Sequence, residues 1–240
     1  DQSTYVGGTG ADGLNMAGGL KANFGDDYRG QVDIAPNGTV WIATTSTSTD
    51  LTLPGGSNNS GGQDGLILGL APDLSNIDYG AFFGGSNDDA AYSIEENGGL
   101  VYVGGGAKST NLDLPPGAVQ TANAGGPTDG WVGVFSTASG NLMPQFATYH
   151  GGSNYDQVYF VQTDADGRVY AYGQARDGLP IAGDVYSNDG SGQFITCWTP
   201  DLSEILWQTT IGTGNGSIDI SPTAFLISDC NQIYISGWGG

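Results

Sequence analysis

Residues 77–89 read IDYGAFFGGSNDD, and close relatives of this phrase recur along the chain. The relatives are STYVGGTGAD (residues 3–12), ATYHGGSNYD (residues 147–156) and the more divergent TTIGTGNGSID (residues 209–219). Each copy joins an aromatic or β-branched run to a Gly-rich turn that ends in an acidic residue. Self-similarity at intervals of several tens of residues indicates a repeat architecture.

A short strand motif measures the period of this repeat. It reads VWIA, VYVG, VYAYG and IYISG, and its copies begin at Val40, Val101, Val169 and Ile233. Subtracting successive positions gives intervals of 61, 68 and 64 residues. A turn rich in Gly, Asn and Asp precedes each copy, and apolar and polar residues alternate on both sides of it. This pattern predicts a β-hairpin at the start of every unit, because those turn residues tolerate positive φ.

Each unit has room for two further strands after the hairpin. The third strands are predicted in GLILGLAPD (residues 65–73), GWVGVFSTA (residues 130–138) and QFITCWTPD (residues 193–201). The fourth strand is the phrase quoted first. Four antiparallel strands in about 60 residues are typical of a β-propeller blade. No segment keeps a helical period, so we expect almost no helix.

The period predicts an all-β chain, organised as a β-propeller arc of four-stranded antiparallel blades. Complete blades are predicted at residues 26–85, 86–152 and 153–214, and a partial blade at residues 215–240. Residues 1–25 are predicted to hold an outer strand at positions 2–8 and then an irregular insertion. Because propellers close with four to eight blades, these pieces indicate an arc of a larger ring.

The composition excludes several classes of partner. The chain has 25 acidic and five basic residues among 240, a formal net charge of −20. Phosphate binding requires clustered basic residues, so we expect no binding to nucleic acid. No run of about 18 apolar residues exists, so we expect no membrane insertion. Such acidity fits either a high-salt setting or the binding of divalent cations, and composition does not separate the two.

Several motifs resemble the β-propeller repeat of bacterial surface proteins known as SBBP. They are YGAFFGGSNDD (residues 79–89), STDLTLP (residues 48–54), GGQDGLI (residues 61–67) and the strands around the Asn-Gly turns. The last residues, SPTAFLISDCNQIYISGWGG (residues 221–240), are similar to large extracellular proteins associated with gliding motility and type IX secretion. The resemblance covers residues 26–240 and implies a secreted, cell-surface location, without implying a particular activity. Residues 9–25 match nothing in it.

Three functions are compatible with this reading. The first is a non-enzymatic adhesive or structural module, whose partners would be surface glycans or other cell-surface proteins. The second is a carbohydrate-binding or carbohydrate-cleaving propeller, and the third is a filament subunit that self-associates. A tryptophan outside the repeated strand motif that is exposed on the face rich in aspartates would favour the carbohydrate hypothesis. The candidates are Trp131, Trp198, Trp207 and Trp238.

Acidic residues follow each repeated phrase. Asp27, Asp89 and Asp156 fall at corresponding places and are the candidate ligands for calcium, a cation that binds several carboxylate and carbonyl oxygens. The same carboxylates could instead accept hydrogen bonds from turn NH groups. General acid and base catalysis needs two carboxyl groups in different environments within one cleft, whereas these acids repeat. We therefore predict no catalytic residues, and calcium as the one cofactor hypothesis.

The cysteines and the histidine complete the candidates. Cys197 and Cys230 are predicted close to turns on one face of neighbouring blades, so an extracellular disulfide is compatible with the geometry if their Cα atoms lie within about 7 Å. Two buried thiols are the alternative. His150 occupies the position that Phe83 holds in the preceding unit, which predicts a structural strand residue.

Overall fold

A computed structural model describes residues 2–239, and in this range the chain is all-β. Positions 1 and 240, the ends of the first and last predicted units, lie outside the described residues. Helix is limited to three 3-10 turns, at Gly18–Leu20, Phe24–Asp27 and Pro54–Gly56. The predicted all-β class and the near absence of helix are confirmed.

The strands form four antiparallel sheets, and within each sheet neighbouring strands follow one another in the chain. Sheet 1 contains β1 (Gln31–Ile34), β2 (Val40–Ser46), β3 (Asp64–Leu70) and β4 (Ile77–Phe83). Sheet 2 contains β5 (Asp89–Asn97), β6 (Leu100–Ala107), β7 (Asp129–Ser136) and β8 (Met143–His150). Sheet 3 contains β9 (Asp156–Thr163), β10 (Val169–Ala175), β11 (Gln193–Trp198) and β12 (Ile205–Ile211). Sheet 4 contains β13 (Ile220–Ile227) and β14 (Ile233–Gly239). None of the four sheets closes on itself.

The hairpin turns follow the chemistry of their residues. Between β5 and β6, Asn97 pairs with Leu100, so Gly98 and Gly99 form a two-residue turn with φ of +63° and +85°. Positive φ at both central positions is the conformation that glycine adopts at least cost. The turns between third and fourth strands contain leucines in the left-handed region, since Leu74 and Leu202 have φ of 57° and 56°. A leucine in this region costs roughly 1–2 kcal/mol, and at Leu202 complete burial offsets that cost.

Each sheet buries an apolar face against the next sheet in the chain. Strand residues alternate between faces, so one strand supplies both of its sheet's interfaces. The interface between sheets 1 and 2 contains Trp41, Ile67, Phe83, Val103, Trp131 and Phe135. The interface between sheets 2 and 3 contains Tyr102, Val132, Val134, Val158, Phe194 and Trp198. The interface between sheets 3 and 4 contains Tyr170, Tyr172, Ile195, Cys197, Phe225 and Ile227.

The predicted strand at residues 2–8 is wrong, because no residue from 2 to 8 belongs to a strand. Side chains, rather than a neighbouring strand, hold the backbone that follows. Thr9 N donates to Asp50 Oδ1 at 2.9 Å, and Gly10 N donates to Ser48 Oγ at 2.9 Å. Val6 is half-buried against the apolar outer part of sheet 1. A β-like sequence therefore stays irregular here, because it meets side-chain acceptors and no strand edge.

Candidate functional site

Asp89 opens β5 and joins three parts of the backbone. Its Oδ2 accepts hydrogen bonds from Gly85 N at 2.7 Å and from Ser109 Oγ at 2.6 Å. Its Oδ1 accepts one from Ser109 N at 3.1 Å. The carboxyl group thus ties the turn between sheets 1 and 2 to the segment that leaves β6. We call this set of contacts the Asp89 clasp.

Asp156 opens β9 and repeats the first of these contacts. Gly152 N donates to its Oδ2 at 2.7 Å, four residues apart as in the Asp89 clasp. The position of Ser109 is taken by Asp177, which bonds to Asn154 Nδ2 instead. As a result Asp156 Oδ1 is buried with no hydrogen-bond partner. Two carboxylates predicted from the repeat therefore lie at equivalent places, and they differ in how well they are satisfied.

A second buried acid, Asp129 at the start of β7, lies beside Asp156. A Cβ added to Gly151 would lie 2.9 Å from Asp156 Oδ2 and 3.0 Å from Asp129 Cγ, so the glycine lets the two carboxyl groups approach. Both groups are fully buried, and Asp129 Oδ1 also lacks a partner. Burial raises the pKa of Asp156 to about 7, and the adjacent Asp129 carboxylate adds to this shift. Burial likewise raises the pKa of Asp129 to about 6. Two such acids retain protons far more readily than exposed carboxyl groups.

Sheet 1 has the corresponding arrangement, with Asp64 beside Asp89 across Gly84. Burial raises the pKa of Asp89 to about 6, although the hydrogen bonds from Ser109 act in the opposite direction. Burial also raises the pKa of Asp64. The same pairing in two successive units is typical of a structural element, because a catalytic pair would need one asymmetric cleft.

Asp27 does not lie at the equivalent position, which is a correction to the sequence alignment. It ends a 3-10 turn, is half-buried, and forms an ion pair with Lys21 Nζ at 2.6 Å. The true counterpart of Asp89 is Asp12, whose Oδ2 accepts from Gly8 N at 2.7 Å across the same four residues. The signal was present, because STYVGGTGAD ends in this aspartate.

Calcium at Asp27, Asp89 and Asp156 stays a prediction. Among residues 2–239, no three His, Cys, Asp or Glu side chains form a group suited to a metal ion. Both oxygens of Asp89 already accept hydrogen bonds from the protein. Asp129 Oδ1 and Asp156 Oδ1, by contrast, are buried and accept no hydrogen bond.

The irregular segment before β1 holds a different buried acid. Asp26 is fully buried and accepts hydrogen bonds from Ala22 N at 2.9 Å, Asn23 N at 2.8 Å and Arg29 Nε at 3.1 Å. Tyr159 in β9 donates its hydroxyl to the same carboxylate at 2.9 Å. The Arg29 guanidinium lies 4.4 Å from the centre of the Tyr159 ring, a cation–π contact. We call these residues the Asp26 cluster.

Residues around this cluster reach three successive sheets. Asn15 Nδ2 donates to the hydroxyl of Tyr92 in sheet 2 at 3.2 Å. Asn23 Nδ2 donates to Gln174 Oε1 in sheet 3 at 3.0 Å. Arg29 Nη2 donates to a backbone carbonyl of sheet 4, Pro222 O, at 3.2 Å. Sequence reasoning missed this role, and the available signal was one arginine close to two aspartates in a chain with five basic residues.

An open cavity of about 490 Å³ lies between this segment and sheet 4. Its lining consists of Phe24, Gly25, Arg29, Ser221, Thr223 and Trp238. Trp238 is 78% exposed and Phe24 is 96% exposed. By contrast, Trp131 and Trp198 are completely buried. Trp238 is therefore the tryptophan that meets the exposure criterion set by the sequence analysis.

His150 is the last residue of β8 and is buried, as its alignment with Phe83 predicted. Its Nε2 lies 3.0 Å from Thr196 Oγ1, and the rings of Phe194 and Trp198 contact it edge-on. Burial lowers the pKa of His150 to about 3, so the ring is neutral near pH 7. A neutral histidine enclosed by aromatic rings is a packing residue.

The disulfide between Cys197 and Cys230 is absent from the structure, in which both cysteines are free, and the alternative of two buried thiols holds for Cys197 alone. Cys197 lies in β11 with its side chain buried between sheets 3 and 4. Burial raises the pKa of its thiol to about 11, so it is a poor nucleophile. Cys230 is exposed in the turn between β13 and β14. One sulfur points into an apolar interface and the other is in solvent, so they are not bonded.

No model of a known protein family matches the sequence, and no curated protein matches it either. Within residues 2–239, no helix is long and apolar enough to cross a membrane.

Proposed function

We propose that the chain is an arc of an extracellular β-propeller that acts without catalysis, as an adhesive or structural module of a large bacterial surface protein. Three observations support the propeller. Consecutive four-stranded sheets take their strands in chain order. Each sheet packs its face on the next. One segment contacts β5, β9 and β13, the first strands of three sheets, as expected if those strands line a central channel.

The hydrogen bonds of Asp89 and Asp12 to long polar loops support the proposal of an adhesive module. The connections after β2, β6 and β10, at residues 47–63, 108–128 and 176–192, are long and largely polar. Asp89 bonds to Ser109 at the beginning of one such loop, and Asp12 bonds to Ser48 Oγ in another at 2.9 Å. The buried Asp89 and the half-buried Asp12 thus hold the bases of two of these loops, while the loop tips remain exposed. Rigid sheets that present several polar loops at one edge suit recognition of a surface partner.

Binding to glycans and to whole cells tests this proposal. The variant Asp113→Ala with Asp189→Ala removes two exposed acids from these loops. The matched control, Asp78→Ala with Glu204→Ala, removes two exposed acids beside the turns between third and fourth strands. We expect binding to glycan arrays or to cells to fall at least tenfold in the loop variant alone. Equal binding by both variants, or no binding by the original chain, would reject the adhesive role.

The exposed Trp238 favours a second candidate, a carbohydrate-binding cavity. The flat face of an aromatic ring packs on the CH face of a sugar, and the hydroxyls of Ser221 and Thr223 lie in the same lining as hydrogen-bonding groups. In this case Trp238→Ala should abolish binding of neutral oligosaccharides, whereas the loop variants should retain it. Release of reducing sugar would instead support a hydrolase, and growth of long assemblies would support a filament subunit.

Calcium has a direct test of its own. If the ion binds at the Asp129 and Asp156 oxygens, calcium should raise the melting temperature and Asp156→Asn should abolish that rise. If a chelator leaves the melting temperature unchanged, the calcium hypothesis is wrong.

A further inference from the structure

Arg176 is the one basic residue between positions 2 and 239 whose side chain forms no ion pair. The chain has five basic residues among 25 acidic ones, and the other four are each paired with an aspartate. These four are Lys21, Arg29, Lys108 and Arg168. Arg176 is exposed and directly follows β10. Its guanidinium therefore keeps its hydrogen-bond donors for a ligand.

The preceding unit shows why this cation has no partner. Lys108 directly follows β6, and its N donates to Asp88 O at 3.0 Å, just as Arg176 N donates to Tyr155 O at 2.8 Å. In sheet 2, the Lys108 ammonium also pairs with the Asp88 carboxylate at 2.6 Å. In sheet 3, the place of that acid is taken by Tyr155, which is buried and whose hydroxyl lies 2.7 Å from the hydroxyl of Tyr159. The change from aspartate to tyrosine leaves the cation of Arg176 unpaired.

The loop between β12 and β13 also differs from its counterparts. Thr213 N donates to Asp219 Oδ2 across six residues, whereas the equivalent hydrogen bonds of the two preceding units span four. The loop is therefore two residues longer, and its middle reaches the segment after β10. Gly216 O accepts a hydrogen bond from Asp177 N at 2.8 Å, and Gly216 N donates to Gly190 O at 2.8 Å. Both contacts hold the longer loop against sheet 3.

The free arginine and the longer loop line one open cavity of about 360 Å³. The lining consists of Arg176, Asp177, Asn215, Gly216, Ser217 and Ile218. Ile218 is its one apolar side chain, apart from the glycine. Asp177 Oδ2 accepts a hydrogen bond from Asn154 Nδ2 at 2.6 Å, so this carboxylate is held by an amide and not by the guanidinium. The cavity thus combines one unpaired cation with several hydrogen-bonding groups.

These groups select a ligand that carries a single negative charge and hydroxyls. The planar guanidinium of arginine binds a carboxylate through two parallel hydrogen bonds. A doubly charged phosphate would be repelled more strongly by the neighbouring Asp177 and by the net charge of −20. The amide of Asn215, the hydroxyl of Ser217 and the carboxylate of Asp177 offer donors and acceptors for hydroxyl groups. A sugar ring that bears one carboxylate, a uronic acid, has both features.

We propose that this cavity binds a uronic acid residue of an acidic polysaccharide, with the carboxylate on Arg176 and the hydroxyls on the polar groups of the lining. The inference rests on the proposed adhesive function and names the class of glycan that the module recognises. An acidic peptide fits less well, because the lining offers little apolar surface for side chains. At an ionic strength of about 0.15 M, charges more than about 8 Å away are largely screened, so the adjacent guanidinium outweighs distant acids.

A matched pair of oligosaccharides tests the ligand on the unaltered chain. Tetragalacturonate carries a carboxylate on every ring, and its methyl ester has the same rings without the charge. By isothermal titration calorimetry with a chelator present, we expect saturable binding of the acid and at least tenfold weaker binding of the ester. Equal affinities, or no binding of the acid by a chain that binds other glycans, would overturn the uronate site and leave the adhesive role intact. Failure to bind any glycan or cell would reject the adhesive role and this inference together.

Two protein variants locate the site. Arg176→Gln removes the free cation and should weaken binding of tetragalacturonate at least tenfold. Lys108→Gln removes the same charge at the equivalent position of the preceding unit, where Asp88 already pairs with it, and should leave the affinity nearly unchanged. Equal losses would show that net charge governs binding, contrary to the proposal. Circular dichroism checks that both variants fold, and the acid and its ester decide the question even if one variant does not.

Discussion

The Asp26 cluster and the neighbouring pair Asp129 and Asp156 are both built on fully buried carboxyl groups, and they satisfy these groups in opposite ways. Asp26 accepts hydrogen bonds from two backbone NH groups, from the Tyr159 hydroxyl and from the Arg29 guanidinium. Asp156 accepts one backbone hydrogen bond and lies beside a second acid, Asp129. Asp26 is paired with the Arg29 guanidinium, whereas burial raises the pKa of Asp156 to about 7.

The difference teaches how a very acidic chain can bury carboxyl groups. A buried ion is expensive unless it is paired and hydrogen-bonded. The chain has too few basic residues to pair every acid, and Arg29 is used at the place where three sheets are joined. At Asp129 and Asp156, burial instead raises the pKa of both carboxyl groups and so favours their protonated form. The two regions should therefore respond differently to mutation and to pH.

The largest effect is expected from Arg29→Ala. It leaves Asp26 buried without its cation, and breaking a buried ion pair costs about 3–5 kcal/mol. Urea unfolding of the variant should show this loss in the free energy of unfolding. Lys108→Ala is the matched control, because the two side chains of its ion pair with Asp88 are 33% and 32% exposed. Such a pair is worth about 0–1 kcal/mol. Equal losses in both variants would contradict the special role of the Asp26 cluster.

The next effect concerns pH and Asp156. Its pKa is raised from 3.8 to about 7 in the folded chain, so between these values the folded state holds a proton that the unfolded state has released. The stability that Asp156 contributes through this proton is fully present below pH 3.8 and is lost as the pH rises to about 7. In the original chain, the free energy of unfolding should fall by an amount on the order of 2 kcal/mol between pH 5 and pH 8 because of this group. We expect this fall to be absent in Asp156→Asn. Chemical unfolding at several pH values measures it, and an unchanged pH profile would refute a protonated Asp156.

His150 should produce the opposite slope. Its pKa is lowered from 6.5 to about 3 by burial, so the unfolded chain binds a proton that the folded chain rejects. Stability from this group is complete above pH 6.5 and is lost as the pH falls towards 3. His150→Phe copies the residue found at the equivalent contact of sheet 1. Between pH 6 and pH 4, we expect the free energy of unfolding to fall by about 1–2 kcal/mol less in this variant than in the original chain. If the acidic limb is unchanged, His150 is not buried in its neutral form.

The smallest effect is expected from Ser109→Ala in the Asp89 clasp. It removes the hydroxyl hydrogen bond to Asp89 Oδ2, and a single hydrogen bond contributes about 0.5–1.5 kcal/mol. Because this bond lowers the pKa of Asp89, the variant should also raise that pKa above its present value of about 6. Carboxyl titration by nuclear magnetic resonance reads out this shift. A lower pKa in the variant would show that Ser109 does not stabilise the charged form.

Part of the candidate site was predictable from repetition, and part was not. Asp89 and Asp156 could be identified because each follows a Gly-Gly turn at the same interval, and their shared geometry follows from that spacing. Asp27 was misassigned, although STYVGGTGAD already ends in Asp12, and the hydrogen bond from Gly8 N to Asp12 identifies that residue as the equivalent. The buried role of Asp26 depends on Tyr159, which is 133 residues away.

The sequence by itself determined the all-β class, the four-strand order of sheets 1 to 3 and the hairpin turns. These features depend on alternation between neighbours and on local φ preferences, both of which act over a few residues. Tertiary structure alone decided which carboxyl groups have a raised pKa and that residues 2–8 form no strand. Those outcomes depend on burial and on contacts between distant segments, because desolvation and packing energies are set by atoms brought together only in the folded chain.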